Sequence, residues 1–226
     1  MIWFIGIAAA VIAYLIGSIN TSIILSRAFT GSDIRTSGSG NAGATNMLRT
    51  HGKKLAVITL ICDILKGVVA VLLGVLADYL LLQSAVLGSA PAAAFILGNL
   101  HYIAGFFVVL GHNFPVFFGF RGGKGVATGL GVMMTLNWQV GLIVLAVSII
   151  IMAATRYVSL GSVIGAAMFP LLLLAFGLGS GEFSPMAVIM AAALAVLIIA
   201  RHHANISRLM RGEENKLFSK KADTKG

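Results

Sequence analysis

Long apolar runs, most of them about as long as a membrane is thick, constrain this chain more than any other feature. They lie near residues 2 to 26, 55 to 77, 85 to 110, 126 to 136, 138 to 155, 160 to 180 and 184 to 200. The mean hydropathy is +0.99 and only 10% of the residues are charged, well outside the range of soluble domains. A helix needs about 20 apolar residues to cross a bilayer, and the runs show no strand-like alternation. The sequence therefore predicts an all-α integral membrane protein.

The basic residues indicate how often the chain crosses. The stretch from 126 to 155, broken at Asn137-Trp138-Gln139, is long for one crossing and short for two. With two crossings there, every Lys and Arg except Lys66 falls on one side, as the positive-inside rule requires. The other side then carries only Asp78 and Glu182. We expect seven transmembrane helices, with the N-terminus outside and the C-terminus cytoplasmic, and with 126 to 136 as a short half-helix buried among its neighbours.

The chain is expected to form one membrane domain over residues 1–212, followed by a cytoplasmic tail over 213–226. No internal repeat suggests an inverted-repeat transporter. The net charge of +9 indicates anionic lipid or phosphate, since no nucleic-acid reader motif accompanies it. The single cysteine, Cys62, lies in an apolar run and is expected to be a packing residue.

Two polar, glycine-rich loops interrupt the apolar runs. The segment from Ser37 to Asn46 alternates glycines with short polar side chains before a helical stretch, which suits either a flexible linker or an anion site. The segment from Gly111 to Gly125 contains Arg121 and Lys124, and its glycines can present N–H groups to phosphate oxygens. Its alternative is a positive-inside anchor in a tight turn. A nucleotide P-loop is excluded because no Ser or Thr follows Lys124.

Further polar groups lie at other ends of the runs. Ser159 and Ser162 can cap a helix or contact a ligand. On a continuing helix His202 and Asn205 share one face, either toward a ligand or as part of a basic helix on anionic lipid. The histidines show no metal-ligand spacing, so no metal is expected. Asp63 and Lys66 lie three residues apart inside the second run, and we favour a structural ion pair over a functional one.

Together these residues resemble the PlsY family of bacterial membrane glycerol-3-phosphate acyltransferases, which use acyl phosphate. The resemblance covers nearly the whole chain, and its three motifs occur in order. They comprise Ser39 to Asn46 with Arg49; Gly111 and His112 with Pro115 and Phe120 to Thr128; and Ser159 to Ser162 with His202, Asn205, Arg208, Leu209, Gly212 and Glu214.

The resemblance implies roles for these residues. The implied catalytic residues are Ser39, Arg49, His202 and Asn205. The implied substrate-binding residues are Gly40, Asn41, Gly43, Asn46, His112, Gly122, Gly123, Lys124, Gly125, Ser159 and Ser162, and Glu214 would stabilise the fold. The implied reaction joins acyl phosphate and glycerol 3-phosphate, with no cofactor, in a membrane-embedded protein for which a monomer is plausible.

Two points stay open in the sequence: which group accepts the hydroxyl proton, and whether the protein is an enzyme or a transporter. His202 or His112 could serve as general base, but neither has an obvious carboxylate to orient it, so we favour the leaving phosphate. None of the five histidines is followed by Asp five positions later, which argues against acyl-CoA or acyl-carrier-protein use through a His/Asp dyad. The alternative function is a membrane transporter of phosphate or an organic anion, which would need polar groups along a path through the bilayer.

Overall fold

The structure, a computed structural model, describes residues 2–83, 98–181 and 183–217, and within them the chain is almost entirely helical. The α-helices are α1 (Ile2–Ser18), α2 (Thr21–Thr30), α3 (Ala44–Thr50), α4 (Lys53–Gln83), α5 (Leu100–Asn113), α6 (Val126–Leu136), α7 (Trp138–Thr155), α8 (Val158–Ser180), α9 (Pro185–Arg201) and α10 (His203–Met210). Short 3-10 turns lie at Ile34–Thr36, directly before the first polar loop, and at Val116–Phe118 in the second.

Five helical segments in the described chain are long and apolar enough to cross a membrane. A sixth is reached if α9 and α10, which meet at a bend of 60°, count as one span. The predicted all-helical membrane fold is therefore confirmed, whereas a count of seven is not reached by length and composition. Helix α6 has 11 residues, about 16 Å at about 1.5 Å per residue, which is too short to cross alone. Residues 85–97 of the third predicted span and Glu182 lie outside the described residues.

The first apolar run contains a break that the sequence did not predict. Helix α1 ends at Ser18, and Asn20 begins α2 by accepting hydrogen bonds from the Ile23 N–H (3.3 Å) and the Ser22 hydroxyl (2.8 Å). The break frees the Ile19 carbonyl, which accepts a hydrogen bond from Lys66 Nζ at 3.1 Å. The interruption thus provides a partner for a buried ammonium group.

Helices approach closely wherever a glycine faces a neighbouring backbone. A Cβ on Gly17 of α1 would lie 2.0 Å from the Val108 carbonyl oxygen of α5, and one on Gly111 of α5 would lie 2.1 Å from the Tyr14 oxygen of α1. Helices α4 and α6 use the same reciprocal arrangement. There a Cβ on Gly67 would lie 2.3 Å from the Thr128 oxygen. Small residues at helix interfaces are the usual device for close packing in membranes.

Two of the long helices, α4 and α7, do not pack against each other in the described chain. Helix α4 packs against α5 and α6, α7 packs against α6 and α8, and α9 packs against α8 and α5. The short helix α6 lies between α4 and α7. Because α6 is short, a cavity forms beside its first turn.

Candidate active site

The first glycine-rich loop is held in shape by Asn46. Its Oδ1 accepts a hydrogen bond from the Ser39 N–H at 2.9 Å, and its Nδ2 donates to the carbonyl oxygens of Ser37 (2.9 Å) and Ile34 (3.2 Å). Asn46 is 1% exposed. The loop is therefore an ordered turn before α3 rather than a flexible linker, and Ser39 is left exposed at its surface.

Arg35 joins the two predicted loops to each other. Its guanidinium Nη1 donates to the carbonyl oxygens of Phe118 (2.7 Å) and Arg121 (3.1 Å) in the second loop. Asp33 orients this group through an ion pair at 2.8 Å. The hydrogen bonds from Arg35 hold the pKa of the Asp33 carboxyl well below its usual range, and Asp33 in turn raises the pKa of Arg35. The pair remains charged and fixes the relative position of the loops.

Gly122 and Gly123 pack closely against the backbone of residues 112–113. Their N–H groups donate to the carbonyl oxygens of Asn113 (3.2 Å) and His112 (3.1 Å). A Cβ on Gly122 would lie 2.0 Å from the His112 oxygen, and one on Gly123 would lie 2.1 Å from His112 Nε2. These two N–H groups therefore bind the protein's own backbone, so any contribution to a phosphate site comes through the shape of the loop.

Free amide groups begin immediately after this pair of glycines. The N–H groups of Lys124 and Gly125 have no hydrogen-bond partner among the described residues, and the first bond of α6 is from the Gly129 N–H to the Gly125 oxygen. Gly125 takes a left-handed conformation at φ +80°, and the first-turn amides of Val126 and Ala127 follow. Successive free amides at a helix N-terminus form an anion-binding nest.

Lys124 also carries an ammonium group, which donates a hydrogen bond to Asn205 Oδ1. Burial, together with the nearby cations Arg208 and Arg49, lowers the pKa of Lys124 to about 8, although the Glu214 carboxylate opposes the shift. A bound phosphate would favour the protonated form.

The carboxylate of Glu214 connects α8 and α10 by binding three of their side chains. It accepts hydrogen bonds from Ser159 Oγ (2.9 Å), Asn205 Nδ2 (2.6 Å) and Arg208 Nε (2.8 Å). Burial by itself raises the pKa of Glu214, but the hydrogen bonds outweigh it and the pKa lies below its ordinary value. Asn205 thus has a defined orientation, with its amide nitrogen on Glu214 and its oxygen on Lys124.

The segment after α10 packs over the site. The Asn215 oxygen accepts from Arg49 Nη2 at 3.2 Å, and the Leu217 N–H donates to the Arg156 oxygen at 2.7 Å. The chain after α10 therefore contacts the rest of the protein as far as Leu217.

Asp63, Lys66 and His112 form a buried cluster beneath the second loop. Lys66 Nζ lies 2.8 Å from both Asp63 Oδ1 and His112 Nδ1. Since the ammonium can only donate, His112 Nδ1 is the acceptor and the ring proton of neutral His112 is on Nε2. Lys66 thus forms an ion pair with Asp63 and a hydrogen bond with His112, the residue whose backbone holds Gly123.

Lys124, Asn205 and Glu214 line a cavity of about 800 Å³. The first turns of α3, α6 and α8 line it with residues Ala44, Thr45, Val126, Ala127, Val158 and Ser159. The opposite wall is apolar, and its exposed side chains Val57 and Leu60 of α4 and Ile149 of α7 lie at the gap between those two helices. The cavity can therefore hold an anion at its helix ends and a hydrocarbon chain toward the lipid.

Most of the predicted site residues line this cavity. They are Ser39, Asn41, Gly43, Asn46, Arg49, Asp63, His112, Lys124, Gly125, Ser159, Ser162, His202, Asn205 and Glu214. Gly40, Lys66, Gly122 and Gly123 are not among the lining residues, although Gly122 and Gly123 lie directly before Lys124. Ser162 Oγ donates to the Val158 oxygen at 2.9 Å within its own helix.

Arg201 was not recognised from the sequence. It donates twice to the Gly123 carbonyl, yet a basic residue at the end of an apolar run is indistinguishable in sequence from a topological anchor. The apolar wall was missed as well, because Leu60, Leu130 and Met133 resemble any other lipid-facing or core residues. Residues 2–83, 98–181 and 183–217 contain no group of three His, Cys, Asp or Glu that could hold a metal ion.

The fold and the cavity define an integral membrane protein with an amide-rich, cationic pocket at its helix ends. A family model described as glycerol-3-phosphate acyltransferase matches residues 7–212. The chain belongs to the glycerol-3-phosphate acyltransferase family and is an enzyme of that class.

Individual relatives agree with this assignment over nearly their whole length. The glycerol-3-phosphate acyltransferase of Clostridioides difficile is 44% identical over 215 residues, which are 95% of this chain and 97% of the relative. That of Thermoanaerobacter pseudethanolicus is also 44% identical, over 95% of this chain and 96% of the relative.

Two solved structures have the same fold. They are crystal structures of PlsY (YgiH), an integral membrane glycerol 3-phosphate acyltransferase, in a glycerol 3-phosphate form and a lysophosphatidic acid form. The first has a TM-score of 0.80 at 36% identity and the second a TM-score of 0.77 at 34% identity. Each match covers 94% of this chain and 95% of the other. The resemblance noted from the sequence motifs is therefore confirmed.

The Glu214 network gives a prediction about stability. Glu214→Ala leaves three donors without their acceptor, so we expect the free energy of unfolding to fall by about 1–3 kcal/mol. Glu213→Ala is the matched control, because the one ion pair of Glu213 among the described residues is with exposed Arg211, and its loss should cost about 0–1 kcal/mol. Thermal unfolding in one detergent measures both, and equal stability of the two variants would contradict the network's role.

The same network sets a pH window. Because the folded-state pKa of Glu214 is lowered, its stabilisation is present above the unfolded-state pKa of about 4.3 and is lost as the pH falls through the folded-state value.

Proposed function

We propose that this enzyme transfers an acyl group from acyl phosphate to the sn-1 hydroxyl of glycerol 3-phosphate, giving lysophosphatidic acid and inorganic phosphate in bacterial phospholipid biosynthesis. The observation that carries the proposal is the nest of free amides at residues 124–127, which lines the same cavity as the Lys124 side chain and faces an apolar wall. A phosphate and a hydrocarbon chain meet in such a cavity.

We further propose that the site opens to the cytoplasm in the bacterial inner membrane. The cavity is lined by Arg49, Lys53 and Lys124, and the positive-inside rule places such a basic end in the cytoplasm. Seven crossings, with the N-terminus outside, follow if α6 serves as a half-length crossing shielded from lipid by α4, α5 and α7. Residues 1–212 would then form the membrane domain, with the tail cytoplasmic.

The two substrates are assigned to the two loops. Lys124, Gly125 and the first turn of α6 would bind the phosphate of glycerol 3-phosphate, with Asn205 orienting Lys124. Ser39, Arg49 and the start of α3 would bind the phosphate of the acyl donor, whose chain would leave through the gap between α4 and α7. Gly40, Asn41 and Gly43 would shape the donor loop, and Ser159 and Ser162 would border the site at the start of α8.

In the proposed reaction the sn-1 hydroxyl oxygen attacks the acyl carbonyl carbon, the carbon–oxygen bond to phosphate breaks, and phosphate leaves with the hydroxyl proton. The mixed anhydride is already activated. The protein therefore needs mainly to align the two substrates and to stabilise the developing oxyanion with amide and cationic groups.

The two candidate histidines differ in their suitability as a base. His112 Nδ1 is occupied by the Lys66 ammonium, so His112 retains only a donor at Nε2. His202 Nδ1 donates to the Ile198 oxygen at 2.8 Å, which leaves the Nε2 lone pair able to accept from a hydroxyl. We propose that His202 orients the attacking hydroxyl while the leaving phosphate accepts its proton.

His202→Gln tests this division of roles. Glutamine can still accept a hydrogen bond but is not a base, so we expect kcat to fall by about tenfold to hundredfold without being abolished. Single-turnover kinetics with saturating substrates measure the chemical step. Complete loss of that step, with both substrates still bound, would show that His202 is the base.

The lowered pKa of Lys124 predicts a pH dependence. As the pH rises through about 8, free enzyme loses the Lys124 proton and kcat/KM for glycerol 3-phosphate should fall. The second ionisation of the substrate phosphate has a pKa of about 6, so it does not account for a change near pH 8. In Lys124→Arg the guanidinium stays protonated, so the fall in kcat/KM at alkaline pH should disappear, whatever the absolute activity of the variant. If kcat/KM of that variant still falls at alkaline pH, the fall is due to another group.

Product formation tests the proposed function itself. Purified protein should release phosphate and lysophosphatidic acid in equal amounts from acyl phosphate and glycerol 3-phosphate. Acyl-CoA serves as the comparison donor, and omission of glycerol 3-phosphate controls for hydrolysis. Product from acyl-CoA but not from acyl phosphate would overturn the donor assignment.

A further inference from the structure

Arg201 makes a two-pronged contact that none of the assigned roles uses. It is the last residue of α9, and its Nε and Nη2 each donate to the Gly123 carbonyl oxygen at 3.2 Å. The guanidinium also lies over the ring of Phe114, 5.1 Å from its centre. The stacking limits the rotation of the guanidinium, so the fork is held in one orientation.

These contacts complete a clamp on one glycine. The Gly123 N–H is held by the His112 oxygen at 3.1 Å, and the Gly123 carbonyl is held by Arg201. No side chain fits at this position, because a Cβ would lie 2.1 Å from His112 Nε2 and 2.6 Å from the Ala42 oxygen. Both peptide groups of Gly123 are therefore held in place: α5 binds its N–H group, and α9 binds its carbonyl oxygen.

The clamp determines the direction of the next amide. The Gly123 carbonyl and the Lys124 N–H belong to one planar trans peptide, in which they point in opposite directions. With the carbonyl turned to Arg201, the Lys124 N–H points away from Arg201, and it has no partner among the described residues. The contact therefore aligns the first member of the amide nest and the origin of the Lys124 side chain.

We propose that Arg201 is a positioning residue for glycerol 3-phosphate, acting through the Gly123 carbonyl to orient the Lys124 amide and ammonium toward the phosphate. The inference rests on the proposed function, because it takes residues 124–127 as the phosphate site. Arg201 itself does not touch the substrate. Its removal should weaken binding of glycerol 3-phosphate specifically.

The planar fork makes Arg201 hard to replace. A lysine could donate to the Gly123 oxygen from one nitrogen only and would stack less well on Phe114. The affinity of Arg201→Lys for glycerol 3-phosphate should therefore lie between those of wild type and Arg201→Gln. Arg201→Gln should lose both the paired hydrogen bonds and the stacking. Phe114→Leu removes only the ring that steadies the guanidinium, and it leaves the Gly123 carbonyl contact possible.

The test measures glycerol 3-phosphate affinity by calorimetry and the KM values for both substrates. Arg201→Gln should raise the Kd and KM for glycerol 3-phosphate about tenfold to hundredfold, and the KM for acyl phosphate less than about threefold. Phe114→Leu should raise the same constants about two- to fivefold. Arg211→Gln is the matched control, since it removes a cation from the same terminal region but contacts only Glu213 and Ser207 in the described chain.

A merely structural role would lower the amount of active enzyme while leaving Kd and KM unchanged, and that result in Arg201→Gln would overturn the proposal. If Arg201→Gln does not fold, Arg201→Lys and Phe114→Leu decide in the same way. Failure of the proposed function is distinguishable: wild-type protein would then fail to make lysophosphatidic acid, or would not bind glycerol 3-phosphate at all.

Discussion

The first amides of a helix have no partner within that helix, and this constraint organises the structure. In a membrane such groups must meet water, another part of the protein or a ligand, because hydrocarbon offers no acceptor. Helices α3, α6 and α8 begin around one cavity, so their unsatisfied amides are collected where the basic side chains are also found. A phosphate-bearing substrate supplies what these groups lack, and the short length of α6 makes room for it.

The rest of the fold holds this arrangement in place through close backbone contacts. Reciprocal glycines bring α1 against α5 and α4 against α6. The break at Ile19 provides a carbonyl for Lys66, which also pairs with Asp63 and hydrogen-bonds to His112. His112 and Asn113 then fix Gly122 and Gly123. A buried ion pair is weak evidence for stability in general. Here its position beneath the second loop gives it a geometric role.

The sequence was informative wherever chemistry and chain order coincided. Apolar runs and basic residues predicted a helical membrane protein, and the loops around Ser39 and Lys124 were both predicted as candidate anion sites. The sequence was least informative about which partners the backbone N–H and carbonyl groups bind. The N–H groups of Gly122 and Gly123 were expected to face phosphate, but they bind the 112–113 carbonyls, a pairing between segments that composition does not reveal. Arg201 was missed for the same reason, because its partner is a backbone oxygen 78 positions away.

The central claim is that the amide nest at residues 124–127 holds the phosphate of glycerol 3-phosphate. A crystal structure of this protein with that substrate tests it most directly. The account predicts phosphate oxygens within about 3.2 Å of at least two of these N–H groups and of Lys124 Nζ. Phosphate bound elsewhere in the cavity, with the amides of residues 124–127 still free, would contradict it.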